Sequence, residues 1–211
     1  MDKSLTRGRP FDPEKQQLQK DKLLNAAQSL LVESSYRDIT IRELADLSGV
    51  NSAMVSYYFT NKEGLFMALL DKMSEEHFGN MKQIAHAPEP IKKFIFFILE
   101  MLSKNSGFAR FVYDEINGKN SQLGDAFMQR FPKRMATILP KLVKAHTGID
   151  DDVKAKYAAF NLMSMIIMPF VGKSVREQAW NIKDEEIRTS EWAEHIYSMF
   201  IAGCGEKSLK S

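Results

Sequence analysis

Residues 40–65 read TIRELADLSGVNSAMVSYYFTNKEGL, and this stretch decides the fold of the chain. Thr40 is followed three residues later by Glu43, a spacing typical of a capping box, in which each side chain binds the backbone N–H of the other residue at a helix start. Gly49 is the residue type most often found just past a helix end. The stretch predicts a short helix ending at Gly49, with these residues buried: Ile41, Leu44, Ala45 and Leu47.

A second short helix is predicted over residues 53–58, with Asn51 or Ser52 as its N-cap. Thr60 and Glu63 have the spacing of a further capping box, which predicts the start of a third helix. Two short helices joined by a tight turn that contains glycine form a helix-turn-helix, whose second helix can enter the major groove of DNA. The pattern therefore indicates a DNA-binding domain.

Residues 56–65, SYYFTNKEGL, make this indication more specific. This segment resembles the end of the DNA-binding domain in the TetR/AcrR family of transcriptional regulators. It contains an aromatic pair, followed by Phe59, by Lys62-Glu63 and by Leu65. The resemblance is dense over about residues 20–70. It implies an all-α chain in which a three-helix DNA-binding domain with a helix-turn-helix is followed by a C-terminal helical bundle that binds a ligand and forms a dimer.

The resemblance also implies which residues face DNA. These are Thr40, Arg42, Asn51, Ser52, Ala53, Met54, Ser56, Tyr57, Tyr58 and Lys62. Arg42 is expected to reach a base or a phosphate, because arginine to guanine is the commonest specific contact. Tyr57, Tyr58 and Lys62 are expected to bind phosphates, which fixes the register on DNA but not the sequence.

Residues 1–16 have no helical periodicity and contain two prolines, so they are interpreted as a flexible basic arm. Arg7-Gly8-Arg9-Pro10 within it resembles an AT-hook, in which Arg7 and Arg9 would lie in the narrow minor groove of A·T-rich DNA. A solvated basic tail is the alternative. The domains that follow are predicted at residues 17–62, for DNA binding, and at 63–211, for regulation and dimerisation.

Charge supports DNA binding only weakly. The net charge is +2, and residues 1–62 carry nine Lys or Arg against eight Asp or Glu. A DNA-binding surface therefore requires that the basic groups lie on one face and the acidic groups elsewhere.

Composition excludes several other classes of protein. Apolar residues make up 44% of the 211 positions and charged residues 27%, as in ordinary globular proteins. A single cysteine, Cys204, rules out an internal disulfide and suits a reducing cytoplasm. The chain opens without a secretory leader, and its longest apolar run, residues 157–171, is too short to span a membrane. We therefore expect a cytoplasmic protein with no membrane contact.

The C-terminal part is predicted to be helical throughout, and its many aromatic and methionine side chains suggest an apolar pocket. The candidate lining residues are Phe97, Met101, Phe108, Phe111, Phe127, Phe131, Met163 and Met165, with Tyr113, Arg110 or Asn161 as orienting polar groups. Ordinary core packing is the alternative for each of them. The effector itself is unknown and is expected to be largely apolar.

The last helices are apolar on more sides than one small bundle can bury. Two copies of the chain are expected to pack there as a homodimer, with these interface candidates: Met168, Trp192, Ile196, Met199 and Phe200. A dimer would place two recognition helices on two half-sites of a double-stranded DNA operator.

Motifs of catalysis, phosphate binding and metal binding are missing from the sequence, so neither an enzyme nor a cofactor is expected. The prediction is a ligand-responsive repressor that binds a pseudo-palindromic operator as a dimer. The alternative is a dimeric architectural DNA-binding or interaction protein without an effector.

Overall fold

The computed structural model describes residues 12–105, 107–108, 111 and 121–204, and every regular element in this part of the chain is a helix. The N-terminal head comprises α1 (Pro13–Glu33), α2 (Ile41–Ser48) and α3 (Ala53–Phe59), and α4 (Lys62–Ala85) joins it to the C-terminal domain. That domain contains α5 (Pro90–Lys104), α6 (Gln122–Arg130), α7 (Pro132–His146), α8 (Asp152–Val171), α9 (Lys173–Ala179), a 3-10 turn (Glu186–Arg188) and α10 (Ser190–Gly203). The all-α architecture predicted from the sequence is confirmed.

Helix α1 begins earlier than the sequence predicts. The Asp12 side chain accepts a hydrogen bond from the Lys15 backbone N–H at 3.1 Å, and Pro13 occupies the first helical position, where its missing N–H costs nothing. Residues 13–16 are therefore helical, and the predicted arm of residues 1–16 is wrong at its C-terminal end. Arg7 and Arg9 lie outside the described residues.

The predicted capping box of α2 is confirmed. The Thr40 backbone N–H donates to Glu43 Oε2 at 2.7 Å, and the Glu43 N–H donates to Thr40 Oγ1 at 3.2 Å. The Thr40 hydroxyl also donates to Glu43 Oε2 at 2.7 Å, and this hydrogen bond, together with the one from the Thr40 backbone N–H, lowers the pKa of the Glu43 carboxyl. Gly49 ends the helix with a φ of +65°, which favours glycine. Leu47 is 55% exposed and does not belong to the buried face, because α2 packs on α1 through the side that carries Leu44.

The start of α4 differs from the prediction. Asn61 caps this helix by accepting a hydrogen bond from the Gly64 N–H at 2.8 Å, whereas Thr60 has a φ of +71°. Thr60 therefore lies before the cap, and the predicted Thr60–Glu63 capping box is wrong. A Cβ atom on Gly64 would lie 2.0 Å from the Phe59 carbonyl oxygen, so this turn requires glycine.

The C-terminal domain contains two breaks at prolines or glycines. The chain breaks at Phe131, between α6 and α7, as expected from Pro132. Helix α8 ends at Val171, with Gly172 as its C-cap, and α9 leaves it at an angle of 73°. Within the described part, that bent pair is the one combination whose length and composition could cross a membrane, and no single helix could.

Candidate DNA-binding surface and ligand cavity

The exposed face of the helix-turn-helix brings most of the predicted DNA-binding side chains together. Thr40, at the start of α2, is exposed, and so are the following residues: Arg42, Asn51, Ser52, Ala53, Ser56 and Tyr57. Met54 is half-buried and packs against the core. Leu44, Val50 and Val55 are buried beneath this face and hold α2 and α3 at a fixed angle.

Arg42 is available to a ligand despite an ion pair. Its Nε lies 3.8 Å from Asp46 Oδ2, and both side chains are almost fully exposed. Exposed pairs of this kind contribute about 0–1 kcal/mol, so the guanidinium is free to exchange Asp46 for DNA. Asp46 also places a negative charge on the same face, which opposes non-specific attraction of phosphates.

The two tyrosines of α3 differ in their surroundings. Tyr57 is 66% exposed, whereas Tyr58 is half-buried and donates its hydroxyl to Gln19 Oε1 of α1 at 2.6 Å. The ammonium group of Lys20 lies 5.7 Å from the centre of the Tyr58 ring. Tyr57 is therefore free to reach a phosphate, while Tyr58 joins α3 to α1.

Lys62 does not have the role predicted for it. Its Nζ donates to the carbonyl oxygens of Ile39 at 2.8 Å and of Tyr36 at 2.9 Å, and it lies 4.5 Å from the centre of the Tyr36 ring. Burial lowers the pKa of this ammonium group, and the carboxylates of Asp38 and Glu43 oppose that shift. The side chain stabilises the turn between α1 and α2 rather than pointing to DNA.

A cavity of about 560 Å³ lies in the C-terminal domain. Helices α4, α5, α6, α7 and α8 line it together with Phe108, and almost all of the lining side chains are apolar. Five of the predicted pocket residues are among them, namely Met101, Phe108, Phe127, Phe131 and Met163. The cavity opens between α7 and α8, where Ala136, Lys156 and Phe160 are exposed.

The other four predicted pocket residues do not line this cavity: Phe97, Phe111, Asn161 and Met165. Phe111 instead packs against Phe66 of α4, with ring centres 6.2 Å apart. The Phe97 ring packs against the His77 ring, with ring centres 5.4 Å apart. Asn161 is exposed on α8. Helical spacing alone could not distinguish these positions, because the apolar faces of several helices meet in one core. Arg110 and Tyr113 lie outside the described residues.

His77 is a polar cavity residue that the sequence reasoning missed, as is Lys156. His77 is 4% exposed, and its Nδ1 has no hydrogen-bond partner among the described residues. Burial, with a smaller effect from the Arg134 guanidinium, lowers its pKa to about 4, so the imidazole is neutral at pH 7. The signal was available in the sequence: His77 stands between Met73 and Met81 at four-residue spacing, on the apolar face of α4.

The predicted dimer interface is wrong for two of its five residues. Ile196 and Phe200 are 2% and 5% exposed, because α10 packs that side against α5 of the same chain. Met168 and Met199 are 59% and 56% exposed and remain available. Trp192 is half-buried, and its Nε1 has no partner in the described part of the chain. Further exposed apolar side chains on α8 are Val153, Tyr157 and Phe160.

Comparison with known proteins gives a family match for the N-terminal domain. Residues 23–69, which include α2 and α3, match the profile described as bacterial regulatory proteins, tetR family. The N-terminal domain of the chain thus matches the TetR family. Proteins of this family are transcriptional regulators and not enzymes.

Two curated relatives from Bacillus subtilis (strain 168) agree with this. The chain is 29% identical over 103 residues to the probable HTH-type transcriptional regulator YttP, covering 46% of this chain and 50% of that one. It is 37% identical over 62 residues to the uncharacterized HTH-type transcriptional regulator YvkB, covering 29% and 33%. The matched stretches thus span half or less of the relatives' own length.

Solved structures share the whole fold. The fatty acid degradation regulator FadR from Bacillus halodurans has a TM-score of 0.72 at 16% identity, covering 92% of this chain and 98% of that one. FadR from Bacillus subtilis, solved in complex with stearoyl-CoA, has a TM-score of 0.67 at 15% identity, covering 88% and 99%. At these identities the likeness is one of fold alone.

Proposed function

We propose that the chain is a ligand-responsive transcriptional repressor that acts in the cytoplasm and binds a pseudo-palindromic DNA operator as a homodimer. The observation that carries this proposal is an apolar cavity of about 560 Å³ in the same molecule as an exposed helix-turn-helix. Its volume falls in the range of about 300–1,000 Å³ that is typical of small-molecule sites. An architectural DNA-binding protein, the alternative function, has no need of such a cavity.

The DNA contacts divide into two groups. Thr40 and the exposed N–H groups at the start of α2 suit a phosphate, as does the Tyr57 hydroxyl. Arg42 and the residues at the start of α3 suit base edges: Asn51, Ser52, Ala53, Met54 and Ser56. Tyr58 and Lys62 support this surface from behind, because their polar atoms already bind α1 and the turn after it.

The effector is proposed to be a molecule with a long apolar chain. Lining residues on α8 run from Lys156 to Val171, which at about 1.5 Å per residue is about 22 Å. A volume of about 560 Å³ over that length leaves a mean cross-section of about 25 Å², which suits a single extended hydrocarbon chain. The complex of a fold neighbour with stearoyl-CoA supports the same class of ligand.

A row of aromatic rings joins the cavity to the DNA-binding head. Phe108 lines the cavity, and its ring centre lies 6.1 Å from that of Phe111. Phe111 in turn lies 6.0 Å from Tyr36, whose carbonyl oxygen binds Lys62. A ligand that displaces Phe108 therefore acts on the segment that sets the position of α2. The coupling needed is modest, since about 1–3 kcal/mol changes affinity about 5- to 150-fold.

Dimerisation is proposed through the exposed apolar side chains of α8 and α10, which include Met168 and Met199. Two heads held at one separation can engage two half-sites about 34–36 Å apart, and a change in that separation releases the operator. Because the head carries little net charge, affinity depends strongly on this spacing.

The proposed function is tested by selecting DNA fragments with the full chain and then measuring operator binding with and without stearoyl-CoA. We expect enrichment of an inverted repeat and release of that DNA by the ligand. Enrichment of no sequence would contradict the DNA-binding regulator. Binding that no long-chain ligand alters would favour the architectural protein.

A further inference from the structure

Helices α2 and α3 carry too little positive charge to hold a DNA backbone by themselves. Residues 40–59 contain one arginine, Arg42, against two acids, Glu43 and Asp46. The next cation along the chain is Lys62, which donates to backbone carbonyl oxygens of the turn between α1 and α2. Because proteins bind the DNA backbone chiefly by neutralising phosphates with lysine and arginine, a cation from another part of the head is required.

Lys20 of α1 lies beside the exposed face of α3. Its ammonium group is 5.7 Å from the centre of the Tyr58 ring. The side chain of Gln19, the preceding residue, accepts a hydrogen bond from the Tyr58 hydroxyl at 2.6 Å, which fixes α1 against α3 at this point. The ring centre of the exposed Tyr57 lies 5.2 Å from that of Tyr58. Lys20 is therefore at the margin of the surface that carries Tyr57.

The neighbouring cations of the head are placed differently. At about 100° per residue, Lys15 and Lys22 lie about 140° and 200° around α1 from Lys20, and both are exposed. Arg37, in the turn after α1, is exposed next to the exposed Asp38. Lys20 is half-buried and has no ion-pair partner among the described residues. Among the cations of α1, it is therefore the one that is both close to α3 and free to meet a phosphate.

A helix in the major groove of DNA has phosphates along both of its flanks. The groove is about 12 Å wide, and a helix with its side chains is about 10–12 Å across, so the helix fills the groove from one backbone to the other. Groups that border such a helix meet phosphates, whereas groups on its outward face meet base edges. Lys20 borders α3 on the flank that faces α1. Its flexible stem allows the ammonium group to move from the Tyr58 ring to a phosphate oxygen.

We propose, on the basis of the proposed function, that Lys20 binds a DNA phosphate beside the C-terminal end of α3, so that α1 supplies a cation that α2 and α3 lack. Tyr58 and Gln19 position this lysine by fixing α1 against α3. A phosphate contact carries no sequence information, so Lys20 strengthens binding to any duplex. Its effect thereby differs from that of Arg42, which is proposed to meet base edges.

The test measures the affinity of the full chain for two duplexes over a range of KCl concentrations. One is the selected operator, and the other is a random-sequence duplex of the same length. Lys20→Met keeps most of the stem of the side chain and removes its charge. We expect the slope of log K against log salt to fall by about 0.9 for each bound head on both duplexes, and the loss of affinity to vanish as KCl approaches about 1 M.

Three further variants assign this change to the charge of Lys20. Lys20→Gln removes the charge with a different side chain and should reproduce the shallower slope. Lys20→Arg keeps the charge and should retain the slope of the unaltered chain. Lys22→Met is the matched control, because it removes an exposed cation on another side of the same helix and should leave the slope unchanged. Thermal unfolding of each variant is measured as well, since loss of the Tyr58 contact alone would lower the Tm without changing the slope.

A slope that is unchanged in both Lys20→Met and Lys20→Gln would overturn the phosphate contact. So would a slope that falls as much in Lys22→Met, or one that Lys20→Arg does not retain. The repressor fails on a different result: a chain that enriches no DNA sequence, yet binds the random duplex with a slope that depends on Lys20, would refute the operator and leave this contact standing. A chain that binds neither duplex would refute both.

Discussion

Replacement of Lys62 by methionine separates two roles that a lysine at the start of α4 could have. The predicted phosphate contact makes it a DNA-binding residue, whereas the structure directs its Nζ to the Tyr36 and Ile39 carbonyl oxygens. Methionine keeps most of the apolar stem and removes the charge and the donors. A phosphate contact predicts that the variant changes operator affinity, whereas the observed hydrogen bonds predict that it changes stability.

The magnitude follows from the contacts that are lost. Hydrogen bonds from a charged donor contribute about 1.5–3 kcal/mol each, and a cation over an aromatic ring adds about 0.5–1 kcal/mol at exposed sites. Lys62 is only partly buried, so solvent screening reduces these contributions, and we expect Lys62→Met to lower the free energy of unfolding by about 2 kcal/mol. For a chain of this length that corresponds to a fall in Tm of about 4–8 °C.

The assays are thermal unfolding followed by circular dichroism, and operator affinity measured over a range of KCl concentrations. Lys22→Met is the matched control, because it removes one exposed cation from the same domain and should leave the Tm unchanged. The slope of log K against log salt should be the same for Lys62→Met as for the unaltered chain. An unchanged Tm together with a slope reduced by about 0.9 would show that Lys62 binds phosphate after all.

Three further predictions concern the DNA surface, the dimer and the cavity. Arg42→Ala should cost about 1–3 kcal/mol in operator affinity and relax specificity at one base pair, with helix content unchanged; equal affinity for all variants of the operator would refute the base contact. Met168→Glu combined with Met199→Glu should give monomers in analytical ultracentrifugation, whereas Leu18→Glu, at another exposed apolar position, should leave a dimer; a dimer in both cases would locate the interface elsewhere. The folded state disfavours protonation of His77, because the pKa of the imidazole is lowered from 6.5 to about 4. The free energy of unfolding should therefore be highest above pH 6.5 and should fall by up to about 3 kcal/mol as the pH drops from 6.5 through about 4. His77→Phe should lack this part of the acid destabilisation, as measured by denaturant unfolding at pH 4 and pH 7, and an identical pH dependence in both chains would argue against it.

The helix-turn-helix could be predicted from the sequence because its signals are local. The Thr40–Glu43 box acts between residues three positions apart, and Gly49 is required by the backbone of a single residue. Such interactions form in the same way whatever the rest of the chain does. At the start of α4 the predicted Thr60–Glu63 box was wrong, because the left-handed backbone of Thr60 leaves Asn61 as the cap, and no pattern in the sequence indicates that backbone.

The sites in the C-terminal domain were predicted only in part, because they depend on which apolar faces meet. Phe108 and Phe111 are three residues apart, yet the first lines the cavity and the second packs against Phe66. Ile196 and Met199 are also three apart, yet one is buried against α5 and the other is exposed. Periodicity assigns both members of each pair to an apolar helix without saying what lies opposite them.

The sequence by itself determined the helical class and predicted the helix-turn-helix whose exposed face is proposed to bind DNA, since both rest on short-range capping and spacing. Tertiary structure alone decided that Lys62 binds the turn after α1, and that His77 is buried beside an apolar cavity with no partner for its Nδ1 among the described residues. The reason is physical: a lysine or a histidine has the same local preferences in either role. Its role depends on which carbonyl oxygens, rings and empty space the distant parts of the chain bring to it.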